Sequence, residues 1–383
     1  MANVLTNLAA DIYKAADMVG RELVGIIPSI TVNGDATTRA AKGDTIRSFA
    51  TRAVTVNSSF APAMTIPEGT DQTVDSKTMT VDTYASVQIP WTGEDMKHVN
   101  NGSGFETIYG DQVRQAFRAI TNTIESAVWT AGRAGASRAI GTAGTTPFAS
   151  NHDVLADLRK MLADNGCPMD GAVTLAMNTS AGAAMRKLAV LQKANEAGGT
   201  ELLRQGTLLD LQGIMVKESA APVSVTAGTG ASYTSDTAGY AVGATSITLI
   251  TGTGTVLAGD VVTFAGDTNK YVVATGVTAP GVLVLAAPGL KVALAASAVA
   301  MTVGAAATAN LAFHRSAIEL GIRAPAMPSG GDAAVDVMVV QDPWSGLVFE
   351  IAAYKGYMKS MFDVRCIYGT KVWKTNNVQQ LLG

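Results

Sequence analysis

The sequence predicts an α+β protein that carries an inserted all-β unit. Three observations predict it. A long amphipathic helical pattern over residues 104–133 follows segments that alternate with a period of two. Residues 150–220 then mix short helical and strand patterns. From Val223 to Ala305 the composition changes: the only charges are Asp236, Asp260, Asp267, Lys270 and Lys291, while Gly, Ala, Thr and Val dominate.

The elements are justified in order. Over residues 4–23, Leu5, Leu8, Ile12, Val19 and Leu23 fall at three- and four-residue steps around Ala15 and Ala16, which predicts an amphipathic helix ended by Pro28. GDTIRSFATRAVTV, from Gly43, and KTMTVDTYASVQIPW, Lys77 to Trp91, alternate as strands. The Pro-, Gly- and acid-rich FAPAMTIPEGTDQTVDS separates them, so the pair reads as a long hairpin arm. Such an arm has little core of its own and must lean on something else.

Ser103 and Glu106 form a capping box for the long helix. Val113, Phe117, Ile120, Ile124 and Val128 form its stripe, and Gly132, Gly135 and Gly141 end the periodicity. At 1.5 Å per residue the helix is about 40 Å long, which suits a spine. In the mixed region, Ser150 or Asn151 caps HDVLADLRKMLADNG, GAVTLAMN is a buried strand, TSAGAAMRKLAVLQKANEA a second helix and IMVKES a further strand. SITLI, GDVVTFAG, KYVVATG and GVLVLAAPG, separated by glycines, read as a small barrel or sandwich. VMVVQD, LVFEIAAYKG and SMFDVRCIYGTKVW close the chain as strands, with turn residues Asp342, Pro343, Ser345 and Gly346.

Charged residues are 15% of the 383, against a usual share of about 25%. Low charge on so large a chain implies a surface partly covered by partner protein, although a Gly- and Ala-rich secreted β-protein shares this composition. No apolar run approaches the roughly 18–20 residues of a membrane span. The first residues lack a basic n-region, so no signal peptide is expected. Cys167 and Cys366 lie far apart and read as reduced thiols. With a net charge of −3 and alternating signs, only weak, non-specific contact with DNA is expected.

The order of parts, with GDTIRSF, SVQIPWTGED, GDVVTFAGDTNKYVV, NLAFHRSAIELGIRAP and YGTKVWKTNNVQQLL, resembles the major capsid proteins of tailed bacteriophages, in the branch with a β-barrel insertion. The resemblance covers nearly the whole chain. It implies an N-terminal arm over 1–42, an extended hairpin loop over 43–92 and a peripheral domain from 93–150 and 335–383. It also implies an axial domain from 151–222 and 305–334, and a β-barrel insertion domain over 223–304. The function implied is self-assembly through hexameric and pentameric capsomers into an icosahedral shell around DNA. The implied location is the virion, with assembly in the host cytoplasm. The implied partners are further copies of the chain, a separate scaffolding protein and a portal, with no membrane. Another self-assembling structural protein (tail tube, appendage or surface layer) is the alternative, and a hydrolase with an insert a distant third.

Catalytic groupings are not found. His98, His152 and His314 each stand alone, without metal-ligand spacing. No Cys–His family surround, GxSxG elbow or phosphate-loop signature occurs, and GTGTVLAG at Gly252 has no following helix. Glu94 and Asp95 suit a helix N-terminus. Asn57, Asn101 and Asn178 begin glycosylation-like triplets, without meaning in a cytoplasmic setting. Trp91, Trp129, Trp344 and Trp373 read as core or interface anchors. No catalytic, metal or cofactor residue is therefore expected. The expected subunit contacts pair Glu68, Asp71, Asp75 and Lys77 on the hairpin with Arg39, Lys42, Arg47 or Arg52 of a neighbour. Each exposed pair is worth only about 0–1 kcal/mol.

Overall fold

The structure, a computed structural model, describes residues 25–51, 62, 64–66, 74–100, 105–193, 208, 210–342 and 345–383. The expected helix over 4–23 and the Ser103 cap lie outside them. Strands β1 (Thr31–Ala40), β2 (Asp44–Thr51), β3 (Val74–Val81) and β4 (Thr83–Thr92) lead to helices α1 (Gly93–Asn100) and α2 (Phe105–Ala134). Then come β5 (Arg138–Gly141), α3 (Asp153–Asp164), β6 (Val173–Met177), α4 (Thr179–Arg186), α5 (Ala189–Gln192), β7 (Met215–Glu218) and β8 (Ser224–Val225). A run of strands follows: β9 (Ala231–Ser235), β10 (Ser246–Thr253), β11 (Val261–Phe264), β12 (Lys270–Thr275), β13 (Val282–Leu285) and β14 (Ala300–Val303). The chain continues through β15 (Ala307–His314), β16 (Ile318–Pro325), β17 (Ala334–Gln341), β18 (Val348–Gly356), β19 (Lys359–Val372) and β20 (Val378–Leu382).

The first sheet is ordered β1-β16-β19-β18-β17. β19 is long enough, at 14 residues, for β18 to pair with its 359–365 and β16 with its 367–372 along one flank. β4 occupies the other flank over 359–368. Helix α2 lies against this sheet because its stripe is apolar. Val113, Phe117, Ile120, Ile124 and Val128 are each at most 2% exposed and share a core with Leu320, Ile322, Val348 and Val364. Phe117 meets Phe349 edge to face, centroids 4.9 Å apart. Trp129 is anchored at the far end by its indole N–H, which donates to the Ala309 carbonyl at 2.8 Å.

The second sheet is ordered β5-β20-β15-β6-β7, with β8 also on β15. Helices α3 and α4 cover it through Leu155, Leu158, Leu162 and Met185, packed on Val173, Leu175 and Met177. Strands β9 to β14 pair in the circular order β11-β14-β9-β10-β13-β12-β11, every pair antiparallel. This ring closes on its own core, including Tyr233, Phe264, Tyr271, Leu283 and Leu290. Closure removes the free edges that would otherwise invite pairing. One short pairing, Lys270 with Ala139 and Tyr271 with Arg138, joins the ring to β5.

Four sequence expectations need correction. Lys77–Trp91 is not one arm strand: it breaks at exposed Asp82, and only β3 pairs with β2. β4 instead joins the first sheet, where Ile89 and Trp91 enter the α2 core. Neither Ser150 nor Asn151 caps α3. His152 occupies the cap position without a side-chain bond, and the Asn151 amide donates to Asp153 at 2.6 Å. The second helix stops at Arg186, because Leu188 turns extended (φ −64°, ψ 120°) and buries itself in the second core. The end of the chain, read only as a family-like stretch, contains β20, fully buried between β5 and β15.

Asn178 is the cap of α4: its side-chain oxygen accepts the Ala181 N–H at 2.8 Å. Asn178→Ala is expected to cost about 1 kcal/mol, read as a lower denaturant midpoint with unchanged slope.

Candidate subunit-contact surface

The hairpin β2–β3 is seated on the body by its root. Gly321 of β16 and Gly369 of β19 are direct cross-strand partners, and together they leave a hollow in the sheet. A Cβ on Gly369 would lie 2.1 Å from the Thr80 carbonyl oxygen. On Gly321 it would lie 2.5 Å from Met79 Cε and 2.7 Å from Ile46 Cδ1. Met79 and Val81 are consequently at most 1% exposed. The arm thus leans on its own body at its root. Beyond it, Thr45 and Arg47 on β2 and Met64 and Ile66 in the connection are exposed. Because the Gly369 clash is with backbone, no side-chain rotation relieves it. Gly369→Ala is expected to lift the root and cost about 1–3 kcal/mol, with protease sensitivity rising at residues 77–81 before the rest of the chain.

Two of the expected contact residues have partners within the chain, although both stay exposed. Arg39 forms an ion pair with the fully buried Glu350 and donates to the Pro325 carbonyl at 2.7 Å. Lys77 lies over the Trp373 ring, 5.8 Å from its centroid. That indole donates to Glu319 at 2.5 Å, Glu319 accepts from Asn33, and Asn33 accepts from Arg323. The chain of contacts ties the hairpin root to β1 and β16. Lys42 and Arg47 are exposed. Asp75 lies on β3 opposite Ala50, where only the backbone is described. Glu68, Asp71 and Arg52 fall outside the described residues.

Sequence reading missed the strongest electrostatic feature, a charged cluster inside the first sheet. Arg365 donates through Nε to Glu350 at 2.8 Å and through Nη1 to the Tyr354 hydroxyl at 2.8 Å. Asp332 and Asp363 lie 3.4 and 3.6 Å from the same guanidinium. Burial opposes the charge on Arg365, yet Glu350 outweighs it and the guanidinium pKa is raised. Burial raises the Asp363 carboxyl, while the Tyr354 hydroxyl, donating to Asp332, holds that carboxyl low. The available signal was the charge itself: Glu in LVFEIAAY, and Asp and Arg two residues apart in MFDVRCIY, interrupt strands that are otherwise largely apolar.

Further apolar side chains are presented at the β18–β19 turn, where Tyr357 is 93% and Met358 68% exposed. Met358 sits at φ +51°, and its carbonyl accepts the Gly93 N–H, so the turn is braced by the start of α1. His314 and the two cysteines have the following surroundings. His314 is buried; its Nδ1 accepts the Ser316 backbone N–H at 3.2 Å, and its Nε2 lies 3.1 Å from Asp170. The Nδ1 contact makes His314 the cap of the short turn at Arg315–Ala317. Burial pushes the Cys167 thiol up to about 11 and the Cys366 thiol up to about 12, so neither is a thiolate at neutral pH. Among the described residues no three His, Cys, Asp or Glu side chains are grouped to hold a metal ion, and no helix is long and apolar enough to cross a membrane.

No family model and no curated protein matches the sequence. Solved structures do. A chain of the capsid structure of cyanophage P-SCSP1u aligns over 92% of this chain and 86% of its own, with a TM-score of 0.50 and 11% identity. The chain has a phage capsid fold. Chains of Mycobacterium phage Che8 and of the bacteriophage PhiM1 mature capsid also align. Che8 covers 89% of this chain and 85% of its own, at 14% identity and a TM-score of 0.45. PhiM1 covers 92% and 85%, at 12% and 0.46. At such identity the likeness carries the capsid fold and no residue role, so the contact surface rests on the geometry above.

Proposed function

We propose that this chain is the major capsid protein of a tailed bacteriophage, a shell subunit that works by tiling with copies of itself through hexameric and pentameric capsomers. The observation that carries the reading is the capsid fold, shared along nearly the whole chain, with a hairpin whose described contacts to its own body lie at the root. The exposed Met64 and Ile66 on that hairpin, and Tyr357 and Met358 at the braced turn, support it. In a closed symmetric assembly many weak contacts of this kind add up.

The domain assignment follows the reading. Residues 43–92 reach over a neighbour, with the hairpin proper ending at β3. Residues 93–150 and 335–383 form the periphery of a capsomer, and 151–222 with 305–334 its centre. Residues 223–304 form an accessory barrel on the outer face. Sheet membership cuts across these segments, since β16 belongs with β18 and β19 while β5 and β20 belong with β15. The peripheral and central segments therefore share strands in both sheets. A separate scaffolding protein, a portal and weakly contacted DNA complete the partners; the site of action is the virion, assembled in the host cytoplasm.

The test is electron microscopy of the expressed chain, with and without a candidate scaffolding protein. Closed icosahedral particles are expected. Rings, tubes or fibres would instead favour a tail, appendage or surface-layer protein, and a dispersed monomer at high concentration would overturn self-assembly altogether.

A further inference from the structure

One buried carboxylate is used by none of the features above. Glu125 sits in the middle of α2 and is 3% exposed. Its Oε1 accepts the Ile26 backbone N–H at 2.8 Å and its Oε2 that of Ile27 at 2.9 Å. The Ser219 hydroxyl donates to Oε1 at 2.7 Å. All three donors are neutral. They come from places 94 to 99 residues away in sequence, so one side chain joins three segments.

Each of the two outer segments is itself closed. In the first, the Ser29 hydroxyl donates to the Gly25 carbonyl at 2.9 Å, and Ile26, Ile27 and Ile30 are at most 1% exposed. In the second, the Ser219 N–H donates to the Met177 carbonyl at 2.9 Å and the Ser219 hydroxyl accepts the Ala221 N–H at 3.1 Å. The segments also touch directly. A Cβ on Gly25 would lie 2.4 Å from the Glu218 carbonyl oxygen, so only glycine admits this approach. Residues 25–30 carry the N-terminal segment, and residues 219–221 lead out of the second sheet toward the ring.

We propose that Glu125 is a positioning residue that fixes the root of the N-terminal segment and couples it to the strand exit leading into the six-stranded ring. A carboxylate is required at this point. It offers two acceptor oxygens to three converging donors, whereas an amide would turn one N–H₂ against a backbone N–H. A load on either extension then reaches the other through this side chain and through the Gly25–Glu218 backbone contact beside it, independently of whether the chain builds a shell.

The experiment is hydrogen–deuterium exchange on the full chain, read peptide by peptide, for the parent, Glu125→Gln, Ser219→Ala, Ser219→Thr and Gly25→Ala. Glu125→Gln is expected to speed exchange at residues 26–27 about tenfold, as for one lost hydrogen bond to a charged group. Ser219→Ala, far away in sequence, should speed the same amides severalfold, and Ser219→Thr, which keeps the hydroxyl, should restore them. Gly25→Ala should in turn speed exchange at 219–221. Ring strand β11 should be unchanged throughout. Ser219→Ala leaving residues 26–27 at the parent rate would overturn the coupling. So would a uniform rise across all peptides, which signals lost global stability. Ser219→Ala and Ser219→Thr decide the matter even where Glu125→Gln does not fold.

Discussion

Arg365→Met is expected to lower the free energy of unfolding by about 3–5 kcal/mol, the usual cost of removing one partner from a buried ion pair. The reason lies in what remains behind. Glu350 is 0% and Asp363 4% exposed, and both depend on the Arg365 guanidinium. Without it, Glu350 keeps, among the described residues, the partly exposed Arg39, and Asp363 loses the cation it is paired with. Chemical denaturation should show a lower midpoint at constant slope. Replacing Glu350 by leucine in the same chain should recover part of the loss, since an apolar pair avoids the desolvation cost. Equal stability of Arg365→Met and the parent would mean that the cluster is solvated and contributes little.

Deletion of residues 55–76 should abolish closed particles while leaving a folded subunit or capsomer. The deletion spares Met79 and Val81, which fill the hollow formed by Gly321 and Gly369. It spares β4 and its ten-residue ladder with β19 as well. What it removes is the outer hairpin, with the exposed Met64 and Ile66. Sedimentation should report a monodisperse small species, and electron microscopy no shells. Normal shells from the deletion would deprive the hairpin of its assigned part, whatever the rest of the fold does.

Parts of this architecture were legible because local periodicity and burial agree. The α2 stripe has a 3.6-residue period, and every position in it is buried. Glycine-punctuated β runs between Val223 and Ala305 correspond to strands of the ring. Other parts were hidden for identifiable reasons. Met79, Val81, Ile89 and Trp91 all sit on odd positions, so nothing in the alternation marks the backbone break at Asp82. β20 escaped because Gln379 and Gln380 are polar. They are buried by distant partners, Gln379 donating to Ser137 and Gln380 to the Arg133 carbonyl. The contact residues were least legible. Arg39 reads as a free surface cation, and only the return of β18 brings Glu350 to it. Lys77 likewise meets Trp373 only once β19 is in place.

The placement of β20 has a consequence for synthesis. β5 and β15 do not touch until that strand is laid between them, through parallel pairing to one and antiparallel pairing to the other. At ~5–20 residues per second, a ribosome needs on the order of 10–50 s to travel the roughly 240 residues from β5 to β20. Throughout that interval a nascent chain holds an open gap where its second sheet should close. The second sheet is therefore completed only after β20 has left the ribosome, long after β5 was made.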